Sequence, residues 1–486
     1  MPICPTRRSV IARLIALLLL VMVYLQVFGF RLTDDIAAQP QPGQPVATDP
    51  APLEDSTDAL QSQLNDPNLK SVDRWTGLVE RRITRTLTID LDKIGPAALR
   101  GLGLSRIVMD GPGPALRIIG THEGTADPQS VKPNVWERQR MPIIDGLEIV
   151  GTHPEACGIE LVGTMQATIT RANIRNCLHA IRLAARNRNV LIANCHLYEN
   201  RGCGVLLDDV DLHQINITGC HISYNNQGGV VSRKGNVRNL HITGCDLESN
   251  MSAEAEPTAN VLIDCRESKS GTAEVAITGC TIQHNSTGPD SANIRILGRS
   301  LPMGDDQPVR EGNMTITGNI LSDVQCNVHL QECRGVTLMG NTFWMGYQHN
   351  LLVEDCSHVI VGPNNLDRNP RYAYGTALTT KNAVVFRNCS DCTISGLHVT
   401  HAWNADAGVV LEKCSWMNID QLTVLDCDHI GLLVKDCDHC RISGLMIRDQ
   451  RETSTDPVSV QIEGSEAIKL IDDGLTDGRI EGEPSE

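Results

Sequence analysis

Between residues 190 and 250 one phrase returns every 25 residues: VLIANCHLYEN from Val190, INITGCHISYN from Ile215 and LHITGCDLESN from Leu240. Ile192, Ile217 and Ile242 fall in register, as do Cys195, Cys220 and Cys245, and Asn200, Asn225 and Asn250. A period this long marks a supersecondary unit. One such unit cannot bury its own apolar face, so it must stack on copies of itself.

Extended in both directions, the phrase gives one buried column: Leu147, Ala172, Cys195, Cys220, Cys245, Cys280, Asn319, Asn341, Asn364, Leu397, Leu422 and Leu445. Its spacings are 25, 23, 25, 25, 35, 39, 22, 23, 33, 25 and 23, so most coils share a core length and three carry insertions. A second column runs Ile159, Ile181, Val205, Val230, Val261, Ile294, Val328, Leu351, Val384, Val409 and Leu432, with inward partners two residues on. Period two inside a period near 23 predicts short parallel strands, each pairing with its equivalent one coil away. Aromatic residues are only 3% of the chain, which suits a regular stack better than an aromatic-packed globule.

These strings, with Gly or Asn before the stacked Cys or Asn and an aliphatic two residues later, resemble the coils of the pectin-lyase-like superfamily. The resemblance covers about residues 105 to 465. It implies an all-β chain, a single-stranded right-handed parallel β-helix of about 12 coils with an N-terminal cap. The expected division is a signal peptide or signal anchor over 1–38, a disordered linker over 39–67, the cap over 68–105, the β-helix over 106–465 and a tail over 466–486.

Of the 18 cysteines, Cys195, Cys220, Cys245 and Cys280 form one file, and Cys333, Cys356, Cys389, Cys414 and Cys437 form another. A buried thiol packs as a small hydrophobe, and a straight file offers no tetrahedral convergence for a metal. Asn200, Asn225, Asn250 and Asn285 read as a ladder of side-chain amides at a turn.

Arg7, Arg8 and Arg13 precede an uncharged apolar run from Leu14 to Phe30. The run fits either a cleaved signal or an anchor holding the chain to a membrane through residues 14–30. Both place the protein outside the cytoplasm, in the periplasm or at the cell surface. A net charge of -16 without basic runs argues against a nucleic-acid partner, and against acidic sugars unless Ca2+ bridges them.

The resemblance further implies a substrate lying along an outer face between long loops. On the outward positions of the second column, Glu160 and Arg182 would be neighbours, with Asp208, Asp209 and Asp211 after the next strand. Glu160, Arg182, Asp208 and Asp209 are the candidate catalytic groups of a polysaccharide lyase or glycoside hydrolase, and Asp208, Asp209 and Asp211 the candidate Ca2+ ligands. His179, Glu199, Arg233, Lys234 and His213 would line the same patch.

The blander reading is a surface ion pair beside ordinary turn chemistry. None of the Asn-Thr-Asp, Gly-His-Gly, Arg-Ile-Lys or Asp-Pro-His strings occurs in the chain, so superfamily resemblance brings no catalytic assignment. Toward the carboxyl end the outward residues Leu352, Val385, Val410 and Leu433 are apolar. That suits the alternative function, a non-catalytic scaffold or adhesive protein assembling as a homo-oligomer through this face. Trp136, Tyr372, Tyr374 and Trp403, with Arg368 and Arg371, sit in inserted loops where aromatics can stack on sugar rings.

Overall fold

The computed structural model describes residues 53–66, 72–75, 80–302, 309–454, 456–471 and 474–482. The chain divides into two units, Met1–Pro52 and Leu53–Glu486. The apolar run and the residues following it to Pro52 lie outside the described residues. Among the described residues no helix is long and apolar enough to cross a membrane.

Leu53–Glu486 is a parallel β-helix in which 41 strands pair in one continuous sheet. Every residue of the second column pairs with the next, Ile159 with Ile181, Ile181 with Val205 and so on to Leu432. The file continues beyond both ends: Leu87 and Leu116 precede Ile159, and Val460 and Ile480 follow Leu432. Strands within 68–105 and 466–486 thus pair in the same sheet as the repeat.

One stretch departs from expectation. Residues 57 to 65, within the span taken as linker, form helix α1 (Thr57–Asn65), with Leu60 and Leu64 buried in the core. Asp55 accepts hydrogen bonds from the Thr57 N–H and hydroxyl, fixing the entry to the first turn. The i, i+4 pair of leucines was the signal for this helix, hidden by its polar surroundings.

The first column explains why Cys and Asn share one file. At this corner the backbone N–H has no strand partner, and it donates to the side chain one coil on. Cys195 N donates to Cys220 Sγ, Cys220 N to Cys245 Sγ and Cys245 N to Cys280 Sγ, each at 3.4 Å. Cys280 N then donates to Asn319 Oδ1 at 2.9 Å, and Asn319 and Asn341 repeat the bond onto Asn341 and Asn364. Each thiol also donates, as Cys245 does to Thr243 O at 3.5 Å. The position therefore needs a small side chain that accepts. The second file obeys the same rule and ends with Cys437 N donating to Ser465 Oγ at 2.9 Å.

It follows that Cys245→Ser keeps the donor and acceptor and unfolds within about 1 kcal/mol of wild type. Cys245→Val leaves the Cys220 N–H buried without an acceptor and costs about 2 kcal/mol or more. Urea unfolding of the two variants checks the order. Equal losses would return the file to packing alone.

The asparagine ladder is real, with one correction. Asn200, Asn225 and Asn250 link amide to amide at 2.8 and 2.7 Å. The next rung is Asn260, not Asn285: Asn250 Nδ2 donates to Asn260 Oδ1 at 2.8 Å, and the ladder continues through Asn293, Asn327 and Asn350. Asn285 instead closes an outer turn, accepting from the Thr287 N–H and hydroxyl. The interior slot is filled either from the turn or from the residue before the second column. In the coils whose turns supply Asn200 and Asn225 the residue before the second column is Gly204 or Gly229, where a Cβ on Gly229 would lie 2.9 Å from Asn250 Nδ2; the next coil supplies both Asn250 from its turn and Asn260 from its strand.

Candidate functional site

The outer face of the second-column sheet carries rows of alternating charge, one through Arg117, Glu160 and Arg182 and another, two residues farther along the strands, through Asp208, Arg233 and Asp264. Glu160 is buried, accepting from Arg117 Nε at 2.5 Å and from Arg182 at 3.1 Å. Arg182 lies 3.9 Å from Asp208, which accepts from Arg233 Nε at 3.1 Å. Farther along, Arg387 bridges Glu354 at 2.7 Å and Glu412 at 2.9 Å. Opposite charges facing one another on successive parallel strands stabilise the pairing, and like charges would oppose it. Glu160, Arg182 and Asp208 do lie together. Each is engaged by an oppositely charged partner on a neighbouring strand.

Asp209 and Asp211 are not part of this group. Asp209 occupies a left-handed corner (φ 51°), which turns the chain onto the next face. Asp211 there forms an ion pair with Arg186 and accepts from Asn236 Nδ2 at 3.2 Å. Both line a wide depression with Lys234 and Glu267. Among the described residues no three His, Cys, Asp or Glu side chains are grouped to hold a metal ion, so the proposed Ca2+ ligands do not converge. His179 accepts from the Cys203 N–H, and burial lowers its pKa to about 4.

The loop aromatics mostly pack inward. Trp136 sits against Val131, Val135 and Met165. Tyr372 lies over Trp344 with ring centroids 4.3 Å apart, and Arg368 lies 4.1 Å from the Trp403 ring. Tyr374 stays exposed.

A better-formed recess lies on the charged face, where the two longest spacings of the first column, 35 and 39 residues, insert loops on neighbouring coils. Glu256 and Pro257 from one loop and Asp290 from the other wall a groove of about 340 Å³. Leu262, Leu297, Arg295 and His329 form its floor, with Asp264, Arg266 and Gln331 at the sides. Arg295 is only 4% exposed. Its guanidinium reaches Asp290 Oδ2 at 2.8 Å, and its Nε donates to His329 Nδ1 at 3.2 Å. His329 Nε2 therefore carries the proton shared with Glu354 Oε2 at 3.1 Å. That bond, helped by Arg387, holds the Glu354 carboxyl below its ordinary range against the opposing effect of burial. Burial pushes the Asp264 carboxyl up, but hydrogen bonds from Arg266 outweigh it and the net shift is down.

His329 belonged to the expected outer face, whereas Asp264, Arg266, Asp290 and Glu354 escaped notice. The two long spacings were the available signal. Both ring nitrogens of His329 are engaged, and the Asp and Arg side chains of the groove are cross-paired. The result is an array of paired donors and acceptors around the apolar part of the floor, Leu262 and Leu297.

The sequence matches the model of the right-handed beta helix region over residues 136–282 and 304–405, about half of the chain. The chain belongs to the right-handed β-helix family. Solved structures similar to this β-helix include the tailspike protein of E. coli bacteriophage HK620, at 10% identity and a TM-score of 0.50, covering 87% of this chain and 78% of that one. Tailspike protein 3 of bacteriophage CBA120 is similar at 11% identity and a TM-score of 0.39, covering 89% of this chain. The β-helix spans 58% of that longer protein. The A-module of the mannuronan C-5 epimerase AlgE4 of Azotobacter vinelandii is similar at 11% identity and a TM-score of 0.38, covering 88% and 96% of the two chains. A search of curated proteins finds no match.

Proposed function

We propose that this β-helix acts outside the cytoplasm, tethered or released by its apolar amino-terminal run, and binds a polysaccharide in the groove between the 251–258 and 284–291 loops. The observation carrying this reading is the groove itself. Fixed carboxylates and guanidinium groups offer acceptors and donors for sugar hydroxyls, while Leu262 and Leu297 offer an apolar floor. Binding is favoured over cleavage because the groove's His329, Arg295 and Asp264 are held by partners.

The assembly alternative has less to rest on: Leu206, Val231, Val385 and Leu433 on the apolar outer face are buried within the single chain, and Leu352 and Val410 are half-buried.

In affinity electrophoresis through gels containing neutral or acidic polysaccharides, at least one polymer should retard the full chain. Arg266→Ala and Asp290→Asn remove exposed groups at the rim, and each should weaken binding about 10-fold, the equivalent of one charged hydrogen bond; Arg266→Ala should leave the thermal midpoint unchanged, whereas Asp290→Asn also takes the charge partner from buried Arg295 and should lower it. Wild-type migration in every gel, or variants that bind as wild type does, would end the proposal.

A further inference from the structure

Beyond the groove, one corner of the helix carries a file of its own. Arg334, Ser357, Ser390, Ser415, Asp438 and Glu466 bridge from coil to coil. The residue after each takes a left-handed conformation: Gly335, His358, Asp391, Trp416, His439 and Ala467, with φ from 50° to 70°. Gly and Asp adopt this conformation readily, whereas a bulky aromatic does so at a conformational cost. Trp416 nonetheless sits there, at φ 53°. It is 61% exposed, so the core is not its reason for being there.

Its ring stacks on His439 one coil on, with centroids 4.6 Å apart and planes inclined by 15°. The pair makes a flat aromatic platform spanning two coils. Exposed carboxylates flank it: Asp391 precedes Trp416 in the corner file, and Asp438 contacts His439 Nδ1 at 2.7 Å. A flat ring edged by acceptors is what the C–H face and equatorial hydroxyls of a pyranose require. Carboxylates at the edge disfavour an acidic sugar.

Trp416 follows Glu412 by four residues. Glu412 lies on the strand position that runs back through Arg387 and Glu354 to Gln331, at the side of the groove. Three coils separate Glu412 from Gln331, about 15 Å at the spacing of paired strands. That is roughly the length of three sugar units.

We propose that Trp416 and His439 form a second sugar-binding subsite, which takes a neutral pyranose of the chain seated in the groove. The inference rests on the proposed groove function. Trp416→Ala tests it on a residue the fold accepts, because Ala467 holds the equivalent corner with φ 51°. The full chain and this variant are titrated calorimetrically with a ladder of neutral oligosaccharides, from dimer to octamer, cut from the polymer that retards the protein best.

The expected result is a rise in wild-type affinity of about tenfold between trimer and hexamer. In Trp416→Ala the rise is lost, trimer binding is unchanged and the thermal midpoint is unchanged or higher. A variant that keeps the rise overturns the subsite while leaving the groove standing. A lowered midpoint makes Trp416 structural and also overturns it. If neither protein binds any oligomer while Arg266→Ala still alters retardation by the polymer, the subsite fails and the groove survives. If that variant has no effect either, both readings fail together.

Discussion

Raised above pH 9, the protein should unfold cooperatively, with a midpoint near pH 10 to 11. Burial pushes the thiols of Cys177, Cys203, Cys265, Cys326 and Cys427 from an ordinary 9.0 up to about 12. A thiol whose folded pKa is raised stays protonated in the native state while the unfolded chain ionises. Its stabilisation is complete below pH 9 and is lost as pH climbs toward 12. Each group then contributes a slope of about 1.4 kcal/mol per pH unit, so the five together remove roughly 7 kcal/mol per unit at full effect. A domain of ordinary stability, about 5 to 15 kcal/mol, is exhausted within one to two units. Far-UV circular dichroism against pH measures the midpoint, and thiol titration in denaturant establishes that the groups are free, as the 17 described cysteines are. A spectrum unchanged at pH 11.5 would contradict the burial argument.

Asn225→Leu should be the most damaging single change to a neutral side chain. Asn225 is fully buried. Its Oδ1 accepts from the Asn200 amide at 2.8 Å and from the Asn200 N–H at 3.3 Å, and its Nδ2 donates to Leu197 O at 3.0 Å and to Asn250 Oδ1 at 2.7 Å. Leucine of similar size strands donors on one coil and a carbonyl on another, and each such group costs about 1 to 3 kcal/mol. The expected loss is about 3 to 6 kcal/mol, read as a lower urea midpoint. The exposed neighbour, as Asn226→Leu, should change it by less than about 0.5 kcal/mol. A loss below about 1 kcal/mol for Asn225→Leu would show that the ladder is a packing feature and not a hydrogen-bonded one.

The repeat made the stacking order readable because period-two alternation and a fixed coil length act together. A one-residue slip would have turned every inward side chain outward. The same legibility stopped where coils vary. Asn285 matched the phrase by spacing, yet an inserted loop carried it outside, and Asn260 took the slot from the strand side. The surroundings of the candidate acids were only partly legible. Sequence placed Glu160 beside Arg182 but left Arg117, on the preceding coil, out of account, and that second guanidinium also holds the carboxylate. The groove depends on which insertions fall on neighbouring coils and lean over the same face. Spacings of 35 and 39 residues indicated extra length without its direction.

The alternating charges also constrain how such a chain can change in length. Losing the coil that bears Arg387 would set Glu354 opposite Glu412, whereas losing the Arg387 and Glu412 coils together would set Glu354 opposite Lys435. The file thus behaves as a parity check on duplication and deletion. Coils along it are gained or lost in pairs, or the odd one must bring a neutral residue at that position.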